Sequence, residues 1–110
     1  MKTLYLSAAA AAAFAFSMGV QAAPDADAAQ KLAKDSGCTK CHAVDKSKKG
    51  PSFQKTAAKY KGKPDAEEKL FKHITTGPMV KVDGKEEKHE IIKSKDDKEI
   101  KNVVAFILSR

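Results

Sequence analysis

The sequence predicts an all-α fold of about four short helices, and three observations carry that prediction. Apolar residues recur at helical spacing in four segments, each bounded by capping or breaking residues. The region that follows a leader-like start, Ala23 to Arg110, is one small domain with few large apolar side chains. A chain that short buries little surface by itself and usually needs a staple. Cys38-Thr39-Lys40-Cys41-His42 supplies the attachment chemistry for one.

Residues 1–22 read as a secretory signal: Lys2 is a short basic start, Leu4 to Phe16 an alanine-rich apolar run, and Val20-Gln21-Ala22 a small-residue cleavage site. Cleavage after Ala22 is preferred to cleavage after Ala23, where Pro24 would follow the bond directly. The apolar run is too short, and its side chains too small, for a membrane span. Residues 23–110 then form the folded domain, with no internal repeat or linker.

Pro24-Asp25-Ala26-Asp27 opens the first helix with acidic residues, where the helix dipole favours them. Ala28, Leu32 and Ala33 continue it, and Gly37 stops it just before the cysteine motif. Ser52 is placed to cap a second helix with Phe53, Ala57 and Tyr60 on one face. Pro64 suits the first position of a third helix, whose stripe is Ala66, Leu70, Phe71 and Ile74 and whose end is Gly77-Pro78. Asp96 and Glu99 fit a capping box for the last helix. Its stripe of Ile100, Val103, Val104, Ile107 and Leu108 is the clearest in the chain. Between the last two helices, Gly77 to Lys95 is a charged loop, in which Val80-Lys81-Val82-Asp83-Gly84 suggests a short strand entering a turn. A loop of that length in a small domain points to function.

Cys-x-x-Cys-His is the attachment pattern of a c-type haem. Two thiols one turn apart reach the vinyl groups on one edge of a porphyrin, and the next histidine falls beneath the iron as proximal ligand. A thioredoxin-like redox pair would need an alternating strand–helix pattern that this chain lacks. A zinc site needs four closed ligands, which Cys38, Cys41, His42 and one further histidine are able to supply. The motif order favours one haem, attached through Cys38 and Cys41 and ligated by His42. Export favours it too, because haem attachment takes place outside the cytoplasm.

The chain resembles the class I c-type cytochromes, specifically the small periplasmic monohaem kind. The likeness rests on Gly37-Cys38-Thr39-Lys40-Cys41-His42, Gly50-Pro51-Ser52-Phe53, Ala57-Ala58-Lys59-Tyr60 and Val104-Ala105-Phe106-Ile107-Leu108-Ser109. It implies that fold, about four helices around the haem. It also implies that the Pro51 carbonyl receives the free ring N–H of His42 and tunes the iron through it. Ala33 stands where the family often carries an aromatic, so a weaker contact of the first helix with Phe106 is expected. The sixth ligand of the family is a methionine close before the last helix. Met79, the one methionine of residues 23–110, follows the third helix almost at once, whereas His89 lies much nearer Asp96. The position therefore favours His42 and His89 as the iron ligands, with Met79 as the alternative. His73, inside the third helix, reads as structural or exposed.

The chain carries a net charge of +7, and +6 without Lys2. Lys40, Lys46, Lys48 and Lys49 cluster near the motif, and Lys81, Lys85 and Lys88 in the covering loop. A basic rim around a haem edge steers docking onto acidic redox partners. No aromatic–basic interleaving points to nucleic acid. The resulting reading is a periplasmic, monomeric electron shuttle and not an enzyme. A haem enzyme or gas sensor for peroxide, oxygen or nitric oxide is the alternative, though Arg110, the sole arginine, is terminal and no distal Arg–His pair exists.

Overall fold

The computed structural model describes residues 23–110, so the signal reading lies outside the described residues. Four helices and one hairpin follow in order: α1 Ala26–Asp35, α2 Phe53–Tyr60, α3 Ala66–Thr76, β1 Met79–Val82, β2 Lys85–Lys88 and α4 Asp97–Leu108. A single 3-10 turn, Cys38–Lys40, follows α1. The predicted helical architecture is present, and the strand suggested at Val80 is half of an antiparallel hairpin.

The helix starts obey their local chemistry. Asp25 accepts the Ala28 amide at 3.1 Å, and the buried Ser52 hydroxyl accepts the Lys55 amide at 3.1 Å. Pro64 is not the first residue of α3; it sits in the turn before Asp65, and the helix begins at Ala66. Asp65 makes no cap because its carboxylate is directed to Lys69 at 3.0 Å. The capping box of α4 is also altered. Asp96 accepts the Lys98 amide, while its own amide donates to the Ser94 hydroxyl, which in turn donates to Glu99. Glu99 thus reaches the cap through a neighbouring hydroxyl instead of bonding it directly.

α4 is the centre of the core, with α1, α2 and α3 all packed against it. Ala29, Ala33 and Phe106 are buried. Phe106 takes its aromatic neighbour from α2, since Phe53 stands edge-on to it at 6.2 Å. The contact expected to weaken for want of an aromatic on α1 is reinforced at the other end of that helix. There the Asn102 carboxamide both accepts the Asp25 amide and donates to the Asp25 carbonyl, each at 2.9 Å.

The charged loop contributes to the core as well. Ile92 is 5 % exposed and its amide bonds the Ile74 carbonyl at 2.9 Å, which draws the chain after β2 down onto α3. The hairpin before it closes through Asp83 and Gly84, at φ 50° and 80°. Two consecutive positive φ values are what an Asp-Gly hairpin turn requires. Val80 and Val82 are half-buried, while Met79 and Lys81 are exposed.

Phe106→Ala removes the entirely buried ring at the meeting point of α2 and α4. Denaturant unfolding of the haem-loaded protein is expected to show a loss of about 3–5 kcal/mol.

Candidate haem site

α1 ends where Gly37 takes φ 81°, a conformation that turns the chain sharply and costs a glycine little. The chain then coils into the 3-10 turn, with the Cys41 and His42 amides both bonding the Cys38 carbonyl, at 3.2 and 2.9 Å. Both cysteines are half-buried. Burial pushes the Cys38 thiol above its ordinary pKa.

The His42 ring is held on three sides. Its Nδ1–H donates to the Pro51 carbonyl at 2.6 Å, the bond that the resemblance implies. Phe53 stacks against it at 5.8 Å between centroids. Gly50 lies so close that a Cβ there would collide with Cε1 of the ring. With Nδ1 engaged, Nε2 is left with a lone pair for a metal.

The ring lines a cavity of about 340 Å³ whose walls also include Cys38, Cys41, His73 and His89. Phe53, Leu70, Ile74, Val103 and Ile107 make the rest of it largely apolar. His89 enters from the segment after β2. Its Nδ1–H donates to the Glu90 carbonyl at 2.8 Å, again leaving Nε2 free. The His42 and His89 centroids are 6.0 Å apart. Two imidazoles sharing one metal through bonds of about 2.0–2.1 Å would stand roughly 6 Å apart. The donor set, its spacing and the apolar walls fit an iron porphyrin. Met79 is placed differently: it is 61 % exposed on the outer side of β1 and does not line the cavity.

His73 lies half-buried on the same cavity wall. It faces the cavity, edge-on to His89 at 4.5 Å, and burial holds its pKa below the usual histidine value, with the two neighbouring histidines adding to the effect. The signal was present, since Leu70, His73 and Ile74 share one face at i, i+3 and i+4. Gly50, Gly77 and Ile92 were also missed as site-building residues. A Cβ on Gly77 would meet the His89 carbonyl oxygen at 2.7 Å, so the end of α3 and the His89 backbone pack directly.

A second, open groove of about 610 Å³ runs beside Tyr60, Lys61, Leu108 and Arg110, but it carries neither thiol nor imidazole. Around the first cavity, Lys49, Lys59, Lys81 and Lys88 line the walls alongside Glu87 and Glu90. Lys48 reaches over the motif to the Thr39 carbonyl at 3.0 Å.

The family model for cytochrome c matches residues 26–110, the whole of this helical unit. The chain belongs to the cytochrome c family. Membership implies a covalently bound haem c, for which the two cysteines of the motif are present. Among curated relatives, cytochrome c-551 of Allochromatium vinosum is 42 % identical over 55 residues, which are 50 % of this chain and 58 % of that protein. Cytochrome c-551 of Azotobacter vinelandii is 42 % identical over 48 residues, 44 % of this chain and 58 % of that one. The aligned stretch therefore covers less than two thirds of either relative. Solved structures align more fully. The class 1 cytochrome MtoD of Sideroxydans lithotrophicus superposes with a TM-score of 0.76 at 53 % identity, covering 79 % of this chain and 97 % of that one. Nitrosomonas europaea cytochrome c552 follows at 0.57 and 28 %, covering 73 % and 96 %. The fold is that of the class I cytochromes c.

Gly50→Ala is expected to push the His42 ring from its seat. Absorption spectroscopy of the haem-loaded protein should show a shifted or partly high-spin spectrum, and Tm should fall. A spectrum and Tm equal to wild type would mean that the ring is not confined at Gly50.

Proposed function

We propose that this cytochrome is an exported monohaem electron carrier, with one haem attached through Cys38 and Cys41 and its iron held between His42 and His89. The observation that carries this reading is the pair of imidazoles across the apolar cavity, each with Nδ1 engaged by a backbone carbonyl and Nε2 left free, 6.0 Å apart. When bound, haem supplies a one-electron ferric–ferrous couple.

The residues around it do the protein's share. His42 is restrained by Pro51, Gly50 and Phe53, so one ligand keeps its place in both oxidation states. His89 is restrained by Glu90 and by the packing of Gly77 against its backbone. Two side-chain ligands leave no coordination position for a substrate, which suits electron exchange and not catalysis. Two imidazoles also favour the oxidised state more than a thioether in place of one of them would. Met79, exposed on the outer side of β1, supports the histidine pair over the methionine alternative.

Lysines are the majority of the charged residues lining the cavity, and those near the motif are exposed. Such a rim suits an acidic redox partner met transiently by a single copy of the chain. The signal-like residues 1–22 support delivery to the periplasm. No described helix is long and apolar enough to cross a membrane.

The ferric protein near neutral pH is expected to lack the weak long-wavelength charge-transfer band of methionine-ligated haem. His89→Ala should yield high-spin or water-ligated iron, while Met79→Ala should keep the low-spin spectrum. A band that is present in wild type and lost in Met79→Ala overturns the histidine pair and leaves electron transfer standing.

Electron exchange with an acidic partner should slow as salt rises, because exposed charges are screened over about 10 Å at 0.1 M ionic strength. Stopped-flow rates measured against ionic strength check this, and a flat profile would reduce the lysines to solvated surface. Charge reversal at Lys48 or Lys49 should lower the association rate more than it moves the potential.

A further inference from the structure

We propose that Ser36 is a positioning residue for His89, setting how far the segment that bears His89 stands from the wall that bears Cys38 and His42. The proposal rests on His89 being the sixth ligand. Three hydrogen bonds hold residues 89–93. The His89 amide donates to the Pro78 carbonyl at 2.9 Å, the Ile92 amide to the Ile74 carbonyl at 2.9 Å, and the Lys93 amide to the Ser36 hydroxyl oxygen at 2.8 Å.

The first two bonds join the segment to α3 and to the residues just after it, on its own side of the cavity. The third runs to the end of α1, beside the cysteine motif. Ser36 closes α1, its own amide bonded to the Leu32 carbonyl at 2.9 Å, and only Gly37 separates it from Cys38. Among the described residues, this is the hydrogen bond that joins the His89 segment to the end of α1 and the cysteine motif.

Its surroundings make the bond count. Ser36 is 1 % exposed, so water does not compete for its hydroxyl. Ile92, beside Lys93, is buried in the core, so the backbone between Ile92 and His89 is short and fixed at its far end. Loss of the Ser36 acceptor frees the Lys93 amide and loosens Ile92 beside it, so that Ile92 and the short backbone leading to His89 shift together, with α3, away from the cysteine motif. The movement would carry His89 away from His42 while the thioether side stays in place.

The measurement is carbon monoxide binding to the reduced, haem-loaded protein, whose rate is limited by how often His89 leaves. Ser36→Ala is expected to bind about five- to tenfold faster, the loss of one buried hydrogen bond. Ser36→Thr, which keeps the hydroxyl, should stay within about twofold of wild type on the same scale. Asn102→Ala, which unties α1 from α4 away from the cavity, should lower Tm without accelerating binding. An unchanged rate in Ser36→Ala, or an equal acceleration in Asn102→Ala, overturns the proposal.

If Ser36→Ala yields too little protein, amide hydrogen exchange of wild type decides. A Lys93 amide as protected as that of Ile92 supports the tether, and one exchanging as fast as the hairpin tip overturns it. The wild-type ferric spectrum separately shows whether the ligation reading has failed. A methionine band lost in Met79→Ala would overturn both, whereas its absence with an unchanged Ser36→Ala rate overturns the tether alone.

Discussion

The hydrogen bond from His42 Nδ1–H to the Pro51 carbonyl is the interaction on which the rest of the site depends. It decides which ring nitrogen is free and where that nitrogen is aimed. The same stretch brings Gly50 against the ring face and starts α2 at Ser52, so one short run of backbone does three jobs. Phe53, the first residue of α2, then stacks on His42 and meets Phe106 of α4 edge-on. The ring that is to face the metal is thereby continuous with the core.

The opposite wall is built differently. His89 sits on no helix, and its restraint comes from neighbours: the hairpin before it, Gly77 beneath it, Ile92 buried after it and the Ser36 hydroxyl across from it. Such a wall is easier to open than one made of a cysteine-tethered turn. His73 adds a second imidazole there, its pKa held below the ordinary value largely by burial.

Charge has a separate role from packing. The two ion pairs among the described residues, Lys31–Asp35 and Lys69–Asp65, are exposed neighbours along single helices and add little stability. Most of the lysines are unencumbered by such pairs. A surplus of this kind affects how the molecule meets partners more than how it folds.

The number of helices, several of their boundaries and the class I cytochrome fold were legible in the sequence, because each rests largely on residues within a few positions of one another. The Gly37 stop, the Ser52 cap, the Asp83-Gly84 turn and the α4 stripe are all of this local kind. The cysteine motif is local as well, and the family model covers the unit that contains it. What the sequence left undecided depends on contacts across the chain. Ile92 lies in a loop without periodicity and becomes core because Ile74 offers it a carbonyl. His73 reads from the sequence as structural or exposed, and only the packing of α3 brings it edge-on to His89. Whether His89 or Met79 faces the cavity was a matter of counting in one dimension, where position favoured the histidine. The hairpin supplies the physical reason: strand alternation sends Met79 outward, and the segment after β2 folds His89 in.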